Sequence, residues 1–538
     1  MTQTMPHDAP PAVTTALPAA HNVAFHTAGD SDIEQALSYL LAELARAGCA
    51  VPRGPSRPAG AVSIGLPGGG SAALALGKAA GRLAGPGDWT AGITIIDPGR
   101  DTGDGLSAIL AVLDSLPLTG WELDRVREQM PVTAGIAGDL GPAAFSDVAV
   151  LCAIHHMRDF TAMASTLTTC GARPDLITVI DKGYPYLMRG RVDSWLRHRL
   201  GAVVVPYPGR VDGIRGHLDR AAAAGTQTLV FDDGGYVLPA VLDHMPGRVR
   251  EIAGVVEQTM SGIWKIERYP GILVPVFSVA ESDLKAAVEA PYVATAAVSA
   301  VTGMLPDEMW AGRPALVLGY GRLGRQAARL LRDVQRMRVA VYDPQPSALV
   351  TAQVDGFAIS TSLAGLIESH RPLLVLGSAG RGSLAGQHAR AFASSAYLAS
   401  MTSRDYEFSL PEWAEQAERV IDYGPLGHGY LMPGGIELCV LGDGLPVNFH
   451  HRESVPGSVI DLVFAALLTG GAVLARPGHG GHGPGRDLTR VNQVLAASPA
   501  LTAFLARYGD DGAGRKLLTP PAVDSPDYDR TPWVYGAS

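Results

Sequence analysis

Apolar residues recur along this chain in short runs separated by stretches of helical period. That alternation is the signature of parallel sheets flanked by helices. From about residue 145 it is regular and predicts strands at 148–154, 176–180, 202–206, 228–231 and 272–277. A second set is predicted at 315–318, 338–342, 373–376, 396–401 and 420–423, with a connecting helix at 291–304 between the sets. Two consecutive α/β domains follow, and the cleft between them is the natural place for an active site. Upstream, a helix at 33–47, an apolar run at 61–66, a helix-like stretch at 71–83 and a short strand at 93–96 predict a smaller α/β piece. Residues 1–20 are rich in Pro, Ala and Thr without periodicity and are expected to be disordered. The apolar stretch 459–468 is too short to span a bilayer and predicts a core helix, so no membrane association is expected.

The strand predicted at 315–318 runs directly into Gly319-Tyr320-Gly321-Arg322-Leu323-Gly324, and a helix opens at once. In such a turn the first glycine permits the tight bend, the second lets the backbone approach a pyrophosphate, and the third allows close helix–strand packing. The free N–H groups of the helix's first turn then face the phosphates. The next strand delivers Asp343, 19 residues after Gly324, where a carboxylate holds ribose hydroxyls and repels a 2′-phosphate. Strand, turn, helix, strand and acid together predict an NAD site. The other Gly-rich turn, Gly68 to Gly70, has neither a following lysine nor a downstream acid, and a plain turn is its simpler reading.

Composition narrows the field. A chain of 538 residues implies two or three domains, and its apolar 47% and charged 18% are ordinary for a globular fold. A net charge of −9 with no basic stripe excludes nucleic acid as an expected partner. The N-terminus shows no basic segment followed by an apolar run, so a cytoplasmic location is expected. Cys49, Cys152, Cys170 and Cys439 lie far apart without CxxC spacing, which predicts buried thiols and neither disulfides nor zinc. Two histidines in the flexible Gly-rich loop His479-Gly480-Gly481-His482 are not assigned a metal, and none is expected elsewhere.

Several further stretches, taken with the glycine turn, resemble the S-adenosylhomocysteine hydrolase family. They are Phe231-Asp232-Asp233-Gly234-Gly235, the Gly254 to Gly262 segment G-V-V-E-Q-T-M-S-G, and the Val274 to Lys285 segment with Glu289 and Tyr292 beyond it. Leu441 to Asn448, L-G-D-G-L-P-V-N, completes the set. The resemblance covers roughly residues 125 to 475 in unbroken order. It implies a tightly held NAD used transiently: a ribose 3′-hydroxyl is oxidised, the neighbouring C4′ hydrogen becomes acidic, the 5′ substituent leaves, water adds, and the hydride returns. It also implies an α/β architecture of two doubly wound, Rossmann-like parallel-sheet domains joined by a hinge, with an extra N-terminal segment and a C-terminal tail. A homo-oligomer, tetramer or dimer, goes with it.

Carried over residue by residue, the resemblance makes Lys285 the acceptor of the alcohol and C4′ protons and Glu289 the carboxylate that orients it. It makes His155 the proton donor to the leaving group and Asp233 an active-site acid. His156 could exchange places with His155, and either Asp232 or Asp233 could face the cleft, the other capping a turn. Thr259 and Ser261 match hydroxyls near the nicotinamide, and Asn448 an asparagine bonding its carboxamide, beside Gly319, Gly321, Arg322, Leu323, Gly324 and Asp343 on the remaining half of the cofactor. Pro526-Asp527-Tyr528 weakly match the family's C-terminus, which reaches a neighbouring subunit's cofactor.

The departures cluster around the substrate. Gln258 stands for a glutamate, Ser403 for a histidine, Ala290 for an asparagine and Val455 for the histidine that holds adenine. Asp181-Lys182-Gly183-Tyr184-Pro185-Tyr186 replaces a polar S-T-Q-D segment. Arg158, Lys182, Arg404, His450, His451 and Arg452 are new; each alone reads as a solvated residue, but aligned on one pocket they imply an anionic small-molecule substrate. Asp159, Gln258, Ser403, Arg404, His450, His451 and the alternative His156 are therefore the substrate-side candidates.

The domain organisation expected is a disordered 1–20, an N-terminal extension 21–120, a substrate and catalytic domain 121–290, an NAD domain 291–453, a return helix 454–487 and a tail 488–538. The function expected is an NAD-dependent enzyme that oxidises a secondary hydroxyl of a nucleoside or sugar-like substrate and promotes elimination, as a lyase or dehydratase, or epimerisation. Authentic S-adenosylhomocysteine hydrolysis and a non-catalytic NAD-bound scaffold are the alternatives.

Overall fold

The computed structural model describes residues 20–26, 33–46, 48–52, 61–66, 69–78, 88–97, 116–184, 186, 188–402, 407–450 and 457–508. The chain divides into two compact bodies, one up to Glu122 and one from Leu123. The first contains β1 (Ala20–His26), helix α1 (Ile33–Arg46), β2 (Ala61–Gly65), β3 (Ser71–Lys78) and β4 (Asp88–Asp97). Its sheet is antiparallel throughout, in the order β1-β4-β3-β2. The helix expected at 71–83 is thus a strand. Alanine favours helices, but Ala72 and Leu74 are buried while Ser71 and Ala73 are not, and that period of two belongs to a sheet with one covered face. The described part of the Gly68 to Gly70 turn is the bend of the β2–β3 hairpin, with Leu66 N donating to Gly70 O.

The second body carries two large sheets. One is wholly parallel and seven-stranded. Its strands are β5 (Val148–Ala153), β6 (Ile177–Ile180), β7 (Val203–Val205), β8 (Gln227–Asp232), β9 (Ile252–Glu257), β10 (Pro275–Ser278) and β19 (Gly485–Arg486). Their order is β19-β10-β9-β8-β5-β6-β7. Strands β5, β6, β9 and β10 are buried at every position, as strands covered on both faces must be. Strand β9 was not among the expected strands.

Helix α2 (Asp283–Met304) links this sheet to the next. It begins eight residues before the expected 291, because Ser282 caps it by accepting from Lys285 N. Pro291 lies inside it rather than at its start, which costs the helix one backbone bond.

The other sheet has eight strands: β11 (Pro314–Leu318), β12 (Arg338–Tyr342), β13 (Ala358–Ile359), β14 (Leu374–Gly377), β15 (Ala396–Ser400), β16 (Arg419–Asp422), β17 (Gly427–Met432) and β18 (Ile436–Leu441). The order β13-β12-β11-β14-β15-β18-β17-β16 is parallel as far as β18, the arrangement of a Rossmann fold. The last three strands form an antiparallel meander, so β16 is an edge strand and not the fifth of a parallel series. Helix α3 (Arg322–Asp333) follows β11, and α4 (Gly457–Ala475) packs on the seven-stranded sheet. The stretch Ser458–Ala475 is long and apolar enough to cross a membrane by composition, but 89% of it is buried within the fold.

Candidate active site

One cavity of about 980 Å³ lies at the C-terminal ends of both large sheets, where open α/β sheets bind ligands. It is lined by residues following β5 (His155), β8 (Asp233) and β9 (Gln258 to Ser261), and by residues following β11 (Gly319, Gly321), β12 (Asp343), β14 (Ser378 to Ser383) and β15 (Met401, Thr402). The two expected domains therefore contribute to the same opening.

The dinucleotide half is built from three glycines with different duties. Gly319 turns with φ +88°, and a Cβ there would lie 2.9 Å from the backbone of Ala379. A Cβ on Gly324 would fall 2.0 Å from Gly319 O and 2.5 Å from Ser378 Oγ, so this glycine is what lets α3 pack against the turn. A Cβ on Gly321 would meet nothing within 4 Å, leaving the backbone open to the cavity that Arg322 and Leu323 also line. Asp343 is held at the end of β12 by accepting from Tyr320 N at 2.7 Å and Gln345 N at 2.8 Å. A turn open at its middle glycine, a helix N-terminus and a fixed carboxylate fit NAD, with Asp343 at the ribose hydroxyls. Thr259, Ser261 and Asn448 line the same cavity, Asn448 almost wholly buried.

Lys285 stands in the first turn of α2. Its Nζ pairs with Glu289 Oε2 at 3.0 Å, one turn further on, and donates to Gln258 O. The helix thus presents amine and carboxylate together, both on the cavity wall and both mostly buried.

The pair Asp232 and Asp233 divides as one cap and one cavity group. Asp232 accepts from Tyr236 N at 2.9 Å and Val237 N at 2.8 Å, closing the turn after β8. Asp233 lines the cavity and receives Lys182 Nζ on Oδ1 at 2.9 Å. Burial alone would raise its pKa, but the charge and hydrogen bond of Lys182 hold it below the ordinary carboxylate range. His155 lines the cavity, while His156 does not: it is fully buried, bonds Asp193 through Nδ1 and stacks on Phe160. The candidate exchange of the two is corrected in favour of His155, since β5 ends by turning the second ring into the core. Lys182 is likewise not a solvated residue but 1% exposed, with Nζ 2.8 Å from His155 Nε2.

Among the other substrate-side candidates, Asp159 and Gln258 line the cavity, and Gln258 Oε1 is buried without a hydrogen-bond partner among the described residues. Ser403, Arg404, His451, Arg452 and Val455 lie outside the described residues, as do the side chain of His450 and the Pro526 to Tyr528 segment. Arg158 is not part of the cavity wall and reaches Gln129 Oε1 at 3.4 Å.

Two buried acids that sequence reasoning passed over organise the loops. Glu257, at the end of β9, accepts from Gly234 N, Gly235 N, Thr259 N and Thr259 Oγ1 at 2.8–3.1 Å, tying the turn after β8 to the turn after β9. Burial and the neighbouring Asp232 push its pKa up to about 8, against donors that favour the ionised form. Glu407 does the same for the loop after β14, accepting from Ala379 N, Gly380 N, Ser383 Oγ and Thr402 Oγ1. The acid directly after the apolar run 252–256 is a signal that could have found Glu257, whereas Glu407 follows the polar stretch 402–405 and carries no such signal.

No protein-family model matches the chain. It is 26% identical over 256 residues to an S-inosyl-L-homocysteine hydrolase of Methanopyrus kandleri, covering 46% of this chain and 59% of that protein. It is 24% identical over 242 residues to an adenosylhomocysteinase of a Nostoc species, covering 44% of this chain and 56% of the relative. The matched part thus spans less than two thirds of either relative. Among solved structures, the A chain of dipicolinate synthase from Bacillus subtilis superposes with a TM-score of 0.34 at 13% identity, over 61% of this chain and 98% of that one. These sequence matches support a divergent relationship of the chain to the S-adenosylhomocysteine hydrolase superfamily.

Proposed function

We propose that this protein is an NAD-dependent enzyme that oxidises a secondary hydroxyl of a nucleoside or sugar-like substrate and promotes loss of a neighbouring substituent. The observation that carries this reading is the meeting of Lys285, Glu289 and Asp233 with the glycine turn on a single cavity. NAD, when bound, supplies a reversible hydride acceptor. Lys285 Nζ, steered by Glu289 and by Gln258 O, is the base for the hydroxyl proton and for the carbon acid beside it. Asp233, held ionised beside Lys182, is a carboxylate that can accept a proton on the same wall. Ile154, Met157, Val293 and Phe464 give the cavity an apolar wall that limits water.

The matched relatives are named for S-inosyl- and S-adenosylhomocysteine, so the reaction they share tolerates a change of base. Here Gln258 is neutral and Ala290 carries no polar group, which removes contacts worth several kcal/mol to one particular substrate. A different hydroxylated substrate, with dehydration as the net result where water does not re-add, accounts for that change.

The test is incubation of the purified protein in heavy water with S-adenosylhomocysteine, S-inosylhomocysteine and a panel of nucleosides, following product mass and carbon-bound deuterium. Loss of a substituent, with deuterium at the adjacent carbon of the recovered substrate, is the result expected. Homocysteine release at a rate matching the relatives would replace this reading with plain hydrolysis. An absence of carbon-bound deuterium with every compound would defeat it.

A further inference from the structure

His155 has no ring nitrogen to spare. Its Nδ1 meets the Tyr186 hydroxyl, and its Nε2 meets Lys182 Nζ at 2.8 Å and Asp233 Oδ2 at 3.3 Å. Phe449 stacks on its face with ring centroids 4.0 Å apart, and Tyr184 lies against it at 5.2 Å. The same Lys182 Nζ donates to Asp233 Oδ1 at 2.9 Å and sits 5.5 Å from the centres of the Tyr184 and Tyr236 rings. Of this group His155, Asp233, Tyr184 and Phe449 line the cavity, while Lys182 and Tyr186 stand behind them.

An ammonium offers three donors and no acceptor, so the His155 nitrogen facing Lys182 has to accept. Nε2 is then bare, Nδ1 carries the ring proton, and the Tyr186 oxygen accepts it. A second proton on this ring would set two cations against each other in a buried site. Burial and the Lys182 charge both lower the imidazole's pKa, His156 and Lys285 add to them, and Asp233 alone opposes.

We propose that Lys182 is a positioning residue: forked between His155 Nε2 and Asp233 Oδ1, it fixes the imidazole as a neutral Nδ1–H ring and leaves Asp233 as the carboxylate base that this wall presents to substrate. The part concerning the ring stands on geometry alone, and the part concerning Asp233 rests on the proposed reaction. Lys182 acts through its two partners, which makes the arrangement a device for holding one protonation state.

Full-length protein labelled with ¹⁵N-histidine, and assigned with His155→Gln, tests it by NMR without any turnover. In the native protein His155 should show a bare Nε2 and a protonated Nδ1, unchanged between about pH 5 and 8. In Lys182→Met the ring should titrate, its midpoint raised by roughly one to three pH units by loss of the adjacent charge. Lys182→Arg should keep the native pattern. A native His155 that titrates near the free value, or carries its proton on Nε2, overturns the proposal even if no variant folds; a Lys182→Met spectrum identical to the native one does so too. Once a substrate is in hand, the acidic limb of kcat/KM in Lys182→Met should move up with the NMR midpoint. A uniform loss at every pH would leave the ring assignment standing and remove the role given to Asp233.

Discussion

Gly262 lies so close to Glu257 that a Cβ on it would stand 2.1 Å from Glu257 Cδ. Glu257 in turn holds the backbone of Gly234, Gly235 and Thr259, so one glycine guards the junction between the turn that carries Asp233 and the turn that carries Thr259. Gly262→Ala should therefore displace the acid and lower stability by about 1–3 kcal/mol, the usual cost of overpacking. Glu257→Gln should cost a similar amount, because an amide N–H₂ would be turned toward backbone donors. Urea unfolding curves of the two variants check both; midpoints equal to the native one would mean the junction is soft.

Asp343 is the second test point. Its carboxylate is fixed by Tyr320 N and Gln345 N, so it cannot swing away from a ligand without breaking both. Asp343→Ala should lower the NAD retained through purification and reduce the preference for NAD over its 2′-phosphorylated form by about tenfold or more. Chromatography of the nucleotide released on denaturation gives the first quantity, and competition binding the second. Native occupancy in the variant would contradict the assignment.

The amine–carboxylate pair of α2 separates catalysis from binding. Lys285→Met keeps the length and apolar body of the side chain, so the fold and the nucleotide content should persist. Carbon-bound deuterium incorporation should fall by roughly 10²- to 10⁴-fold, the span of general-base contributions. Glu289→Gln should fall less, since Gln258 O still holds the lysine. Undiminished exchange in Lys285→Met would move the base elsewhere.

What the sequence made legible follows from which forces are local. Strand β12 fell where expected, at Arg338–Tyr342, because a strand covered on both faces must be a continuous apolar run. The glycine turn was legible because each glycine answers a backbone need that no other residue meets. Strand β3 was not, because its alanines suit a helix and only its neighbours β2 and β4 make it a strand. The start of α2 was obscured by Pro291, which reads as a first-turn residue although Ser282 caps the helix well before it. Lys182 was singled out as a cation near the pocket, but its burial was illegible for a different reason. Its burial depends on Asp233 and His155, 51 and 27 residues away, and no spacing rule connects them. Redox parts therefore showed in the sequence and the supporting charge pair did not.

The pH dependence of stability should bear the mark of buried neutral imidazoles. His217 is fully buried, with Nδ1 2.8 Å from Thr178 Oγ1, and burial followed by the charge of Arg220 lowers its pKa to about 3. In the unfolded chain the same ring has a pKa near 6.5. Between these values the unfolded state binds a proton that the folded state refuses. The folded state is thus favoured fully above about pH 6.5 and loses that advantage as pH falls toward 3. Asp461 works in the opposite sense, since burial raises its carboxyl to about 6 and the folded state takes up its proton first on acidification. Raw acid sensitivity consequently mixes the two, and the informative quantity is a difference between proteins. His217→Gln should lose the acid-sensitive part only. The drop in unfolding free energy between pH 7.5 and pH 4 should shrink by about 3 kcal/mol relative to the native protein, from 1.36 kcal/mol per pH unit. Urea titrations followed by tryptophan fluorescence at the two pH values measure it. An equal drop in both proteins would show that His217 takes up its proton in the folded state after all.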